Sequence, residues 1–244
     1  LATVRFLKDP SASPDPLFAA AIARRTNRSP FRATPVDPAA FNRIIAASVN
    51  GVAAAGVREG ERIAELRALA KDAWEIEWAL DRTRRESLDV TRIGKKEIEE
   101  NPFGLSLAGP MIEAIAAAGI MTHRKMDIPE KAAYEQTIAF YNKAVETAAA
   151  FVWTSTAANT RADQLAAGAA WIRMQQAATL EGVAFHPLSQ ALQEFPEMSP
   201  AYDRVHEMLA HQPDATVQML ARLGYADAPP PSPREALLSK LIAV

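Results

Sequence analysis

The sequence predicts an α+β protein in which long helices surround a small sheet. Two observations carry this expectation. Apolar residues recur at three- and four-residue spacing over three long stretches, 61–85, 129–149 and 161–182, the period at which one face of a helix meets a core. Two other runs, FVWTST at 151–156 and TVQMLARLGY at 216–225, have the β-branched and aromatic content that suits a pleated, half-buried surface.

The composition sets outer limits. With 244 residues, 49% hydrophobic and 23% charged, the chain can bury a sizeable core as one large domain or two small ones. A net charge of −2 and a pI near 6.2 argue against a nucleic-acid binder, which would carry a basic excess. No apolar run is long enough to cross a bilayer. The absence of cysteine removes disulfides, a thiol nucleophile and cysteine-ligated metal, but it suits a reducing or an oxidising compartment equally. The chain opens at Leu1 without Met, so the expectation is a processed or truncated start. The lack of a signal peptide then leaves the compartment open.

Taken in order, ATVRFLK at 2–8 alternates as a strand does, and DPSASPDP closes it with turn chemistry. A short amphipathic helix is expected over 17–25. RRTNRSPF at 24–31 then sets Arg24, Arg25 and Arg28 around Thr26 and Asn27. Arginines favour the C-terminal turn of a helix, so a solvated helix end is one reading. A phosphate clasp is the other, because guanidinium groups offer planar, bidentate donors. A second short helix is expected over 37–47, with Pro38 at a permitted early position, and a brief strand over 56–60. The helix over 61–85 carries Ile63, Leu66, Leu69, Ala70, Trp74 and Leu80 inward, its charges forming solvated faces.

Residues 91–126 are less regular. A Gly- and Pro-punctuated apolar helix beside a charged one reads as a helical cap, or as an ordinary hairpin packed on the core. The helix over 129–149 lines up Tyr134, Ile138, Tyr141 and Val145. The helix over 161–182 begins at Thr160 and Asp163, whose side chains can accept otherwise unpaired backbone N–H groups. Its expected face is Leu165, Gly168 or Ala169, Ile172, Gln175 and Thr179. VAFHPLSQ then makes a short apolar run and a proline-fixed turn. Short helices are expected over 189–194 and 202–209, and the tail after Gly224 is a proline-rich, extended connector.

Several chemistries lack their motifs. There is no P-loop, no GxGxxG after a strand and no HExxH. His123, His186, His206 and His211 share no metal-ligand spacing, and Ser189 stands outside any GxSxG elbow.

Three separated pieces resemble the FMN-dependent nitroreductase family. RRTNRSPF resembles its Arg-Arg-Ser-x-Arg-x-Phe signature, with Thr26 in the Ser position and one extra residue before Phe31. DQLAAGAAWIRMQQAATLEGVAFHPLSQ resembles its central helix and the turn that follows. LARLGYADAPPPSPR resembles its closing strand, Gly-Tyr step and basic tail. WTSTAANTRADQLAAG and HPLSQALQEFPEM further resemble a bacterial branch in which two such halves share one chain, many members carrying twin-arginine export signals.

The resemblance implies one nitroreductase-like domain over 1–244, with the cap at 91–126 and FMN as cofactor. It implies that Arg24, Arg25 and Arg28 clasp the FMN phosphate with Thr26 nearby, and that Arg234, with Ser232 beside it, approaches from the opposite side. Pro187, Leu188, Ser189 and Gln190 would lie against the isoalloxazine ring and offer backbone donors near its reactive nitrogen, with Ser189 where the family has an acidic residue. The implied activity passes hydride from NAD(P)H through FMN to a small acceptor such as a nitroaromatic or quinone. The implied alternative is an FMN-sequestering protein closed by the cap, and a plain structural protein is the reading without the resemblance. The family's Ser-x-x-x-Asn-x-Gln-Pro-Trp segment has no match, since Ser48, Val49, Asn50 and Gly51 lack its second half. A site completed by a homodimer partner, or by a missing N-terminal half, is therefore expected.

Overall fold

The structure is a computed structural model and describes residues 5 and 7–240. After a 3-10 turn at Pro16–Ala20 come α1 (Pro38–Ala46), β1 (Ala53–Val57), α2 (Glu61–Ala79), α3 (Asp81–Asp89), β2 (Thr91–Ile93), α4 (Gly94–Glu100) and β3 (Leu105–Leu107). They are followed by α5 (Pro110–Ala117), α6 (His123–Met126), α7 (Ala132–Glu146), β4 (Ala150–Thr156), α8 (Arg161–Leu180), β5 (Ala184–Pro187), α9 (Ser199–Leu209) and β6 (Thr216–Gly224). Four strands form an antiparallel sheet in the order β1-β4-β6-β5, and β2 pairs with β3 in a separate parallel ribbon. The α+β expectation holds.

Strand alternation sends successive side chains to opposite faces. Phe151 of β4 and Leu220 of β6 join Ile63, Leu66 and Leu69 of α2, Val145 of α7 and Val205 of α9. Ala150, Val152, Ala221 and Leu223 join Phe41 and Ile44 of α1 and Trp171 and Met174 of α8. β4 pairs on both edges and is buried almost throughout, as its β-rich sequence predicted.

The start of α8 is as expected, with both bonds of the Thr160–Asp163 capping box in place. Of its expected face only Gln175 is fully buried. Ala167, Ala170, Trp171, Met174, Gln175, Ala177 and Ala178 pack inward, while Leu165 and Ile172 are exposed. Small alanines let the helix lie close to the sheet, and that approach outweighs the larger side chains of the other stripe.

The helix predicted over 61–85 breaks at Leu80, whose ψ of 124° is extended. Arg84 explains the break. Buried to 1% exposure, it turns its guanidinium onto the carbonyls of Trp78 (3.0 Å) and Ala79 (3.3 Å) and pairs with Asp81 and Asp127. Carbonyls at the end of α2 thereby gain donors that a continuing helix would have supplied. Burial works against ionising Asp127, but hydrogen bonds from Arg84 and Arg85 outweigh it and hold the carboxyl below its ordinary range. A lowered folded value adds stability above the unfolded value, lost as pH falls through the folded one. Asp127→Asn is therefore expected to lower Tm at neutral pH. In thermal melts, the gap from the parent protein should close as pH drops below about 4.

Ile93 and Met126 of the region 91–126 share a small core with Trp78, Leu88 and Ala133 of the flanking helices. The region is not wholly helical, because β2 and β3 run through it. Gly104 makes the ribbon possible: its φ is +85°, and a Cβ there would sit 2.0 Å from the Val90 carbonyl oxygen.

Other boundaries shift. The helix expected over 17–25 is only the 3-10 turn, capped by Asp15, and that over 189–194 is a 3-10 turn at Gln190–Leu192. The strand expected over 56–60 lies at Ala53–Val57, and the apolar run before the proline turn is itself a strand, β5. The strand expected over 2–8 falls largely outside the described residues.

Candidate functional site

Backbone pairing brings the two halves of the expected site together. β5 is an edge strand of the sheet and runs directly into the turn that begins at Pro187. The arginine segment lies alongside it: Thr26 forms a parallel bridge with Phe185, and the Asn27 N–H donates to the Phe185 carbonyl at 3.0 Å. The chain after β6 holds the same segment from elsewhere. The Asn27 side-chain amide donates to the Asp227 carbonyl (2.9 Å), the Arg32 N–H donates to the Tyr225 carbonyl (2.8 Å), and Arg32 pairs with Asp227. Phe31 lies over Gly224, where any Cβ would come within 2.4 Å of the ring. The glycine of the Gly-Tyr step thus serves close packing.

Arg24, Arg25 and Arg234 are gathered here. Arg24 donates to the Gln175 side-chain oxygen at 2.9 Å, and Arg25 folds back onto the carbonyls of Ile22 and Arg24. Arg24 is held below the ordinary arginine range by burial, then by the charges of Arg234 and Arg25. No carboxylate among the described residues pairs with Arg24, Arg25, Arg28 or Arg234. Guanidiniums that crowd without a counter-charge form a site for an anion. Arg28 is open to solvent yet lowered by the protein crowded around it, and its charge reaches His186. Thr26 is half-buried in the bridge, and Ser232 is exposed in the tail two residues before Arg234.

The turn residues divide. The Leu188 side chain is buried at 2% and its N–H is bonded to the Leu220 carbonyl at 2.8 Å. Leu188 therefore anchors the turn and offers no donor, against the expectation. Ser189 is exposed, Pro187 and Gln190 are half-buried, and the N–H groups of Ser189 and Gln190 have no acceptor among the described residues.

Beneath the turn lies a polar group that sequence reasoning missed. Arg222 is fully buried, and it donates to the His186 Nδ1 (2.9 Å) and to the carbonyls of Ala144 (2.7 Å) and Ser29 (2.8 Å). The Phe31 ring covers its guanidinium at 3.8 Å. The Tyr141 hydroxyl donates to the Gln190 side-chain oxygen at 2.9 Å. A charged residue inside the apolar run TVQMLARLGY was the available signal. Gln175 was visible as part of a helix stripe, though its hold on Arg24 was not.

The other polar candidates lie apart. His123 pairs with Glu97, His206 faces the Tyr202 carbonyl and His211 bonds Ser155. The described residues contain no group of three metal-ligating side chains and no helix long and apolar enough to cross a membrane. A cavity of about 520 Å³ lined by Arg32, Val36, Asp37, Arg58 and Tyr225 contains none of the expected residues.

No family model matches the chain, and no curated protein matches it. Solved structures do. The chain is similar to the FMN-dependent nitroreductase of Mycobacterium smegmatis in complex with NADPH, with 19% identity, a TM-score of 0.53 and coverage of 93% of this chain and 97% of that one. It is similar to a nitroreductase with bound FMN from Desulfitobacterium hafniense, with 11% identity, a TM-score of 0.54 and coverage of 95% and 100%. A third is a nitroreductase with bound FMN from Bacteroides fragilis, with 14% identity, a TM-score of 0.51 and coverage of 95% and 99%. The fold is nitroreductase-like.

Proposed function

We propose that the chain binds FMN between the arginine cluster and the turn at 187–190 and acts as a flavin-dependent oxidoreductase. One observation carries the reading: three guanidiniums without a carboxylate partner among the described residues gather on the same sheet edge as a turn with two N–H groups that have no acceptor among those residues. The residues fit the cofactor's chemistry. Arg24, Arg25, Arg28 and Arg234 would hold the phosphate, with Thr26 and Ser232 at its margin. Pro187 would lie against the ring, and the N–H groups of Ser189 and Gln190 would donate where negative charge gathers on reduction. Leu188 would hold the turn in place. Bound FMN would supply the hydride chemistry, between NAD(P)H and a small acceptor such as a nitroaromatic or quinone. No side chain is assigned as acid or base.

In this reading a second copy, or the other half of a tandem chain, covers the rest of the ring. Leu165, Ile172 and Leu180 on the outer side of α8 are exposed and give such a partner an apolar face.

The test is reduction of bound flavin. After incubation with FMN and desalting, NADPH added without oxygen is expected to bleach the flavin's visible band, and a nitroaromatic should restore it. Retained flavin that NADPH does not bleach would favour sequestration. Failure of the chain to bind flavin would end the whole reading.

A further inference from the structure

We propose that Arg222 is a positioning residue whose buried guanidinium ties the arginine loop to the turn and sets an uncompensated positive charge beneath it, favouring reduced over oxidised flavin. The inference rests on the FMN reading. Its observations are the bonds and the charge of Arg222 itself.

The first is connectivity. One guanidinium reaches the carbonyl of Ser29 at 2.8 Å and that of Asn27 at 3.4 Å, on either side of Arg28. It also reaches His186, next to Pro187, and Ala144 at the end of α7. The two halves of the site share this side chain as a common support. The second is charge. Buried charges are ordinarily paired, since desolvation is costly, yet among the described residues Arg222 at 0% exposure is bonded only to carbonyls and an imidazole, under the face of Phe31.

The surrounding groups do not cancel that charge. His186 is pushed well below its ordinary range by burial, then by the charges of Arg222 and Arg28, so it is a neutral acceptor. Tyr141, held up first by burial and then by Glu77, stays un-ionised. Glu77, 6% exposed, makes no ion pair with Arg222 among the described residues and is bonded instead by the Ser87 hydroxyl. Burial lowers Arg222 to about 9, which leaves it charged at neutral pH. A fixed cation in a low-dielectric interior acts most strongly on negative charge that appears nearby. In the proposed site that charge appears on the flavin when it is reduced.

The test measures affinity for oxidised and for reduced FMN, the latter without oxygen, in the parent protein and in R222K, R222Q and H186E. Thermal melts establish which variants fold. R222K keeps the charge but loses the fork of hydrogen bonds. It is expected to weaken both affinities while keeping their ratio. R222Q removes the charge, and H186E pairs it with a carboxylate. Each is expected to lower the preference for reduced FMN about tenfold, a drop of about 30 mV in a two-electron potential. Either of these two suffices if the other does not fold. Equal losses of both affinities in R222Q and H186E would overturn the proposal while leaving FMN binding intact. A parent protein that binds no FMN would overturn both.

Discussion

Arg24→Ala combined with Arg28→Ala is expected to weaken FMN binding by about a hundredfold to ten-thousandfold, with little loss of Tm. A hydrogen bond to a charged group contributes about 1.5–3 kcal/mol. Two of them amount to about 3–6 kcal/mol, and each tenfold in affinity corresponds to about 1.4 kcal/mol. The fold should tolerate the change. Neither arginine has a carboxylate partner among the described residues, and Arg24 is disfavoured by its neighbours Arg234 and Arg25. Removing its charge relieves repulsion and gives up one bond to Gln175. Flavin fluorescence titration reads the affinity and a thermal melt reads the fold. Unchanged affinity in a folded double variant would mean that the cluster is only a solvated loop.

Phe151→Ala is expected to have the opposite signature, a loss of about 3–5 kcal/mol in stability with the site's own contacts intact. Phe151 is fully buried near the start of β4, opposite Val57 on one side and Arg222 on the other. Its ring fills the face that α2, α7 and α9 cover, so truncation leaves a cavity between the sheet and those helices. Domains are stable by about 5–15 kcal/mol, so the loss is a large share. Urea unfolding should show a lowered midpoint with a similar slope. A change below about 1 kcal/mol would mean that the strand is not the centre of the core.

The two experiments separate what the sequence makes legible from what it hides. FVWTST announces β4 because β-branched and aromatic residues suit a buried strand, and the Thr160–Asp163 start of α8 is a local chemical pattern. The arginine segment and the proline turn could each be read as units. Their adjacency could not, because it depends on a single bridge between Thr26 and Phe185, distant in sequence. The inward face of α8 was misjudged because hydrophobicity favours Leu165 and Ile172, whereas close packing on the sheet favours alanine. The break at Leu80 has no glycine or proline to mark it. It rests on Arg84, one of many arginines in a charged stretch that periodicity assigns to solvent. Arg222 was hidden in the same way, the one charged residue inside a largely apolar strand. Leu188 shows the converse, a motif residue whose backbone proves to be committed to β6.

The most direct test of the account is an equilibrium titration of FMN with the folded chain, followed by its flavin fluorescence and visible spectrum. The account predicts saturable binding approaching one flavin per chain, a shifted flavin spectrum, and weakening by added phosphate as it competes for the arginines. A chain that melts cooperatively yet shows no saturable change in flavin fluorescence, with or without salt, would contradict it.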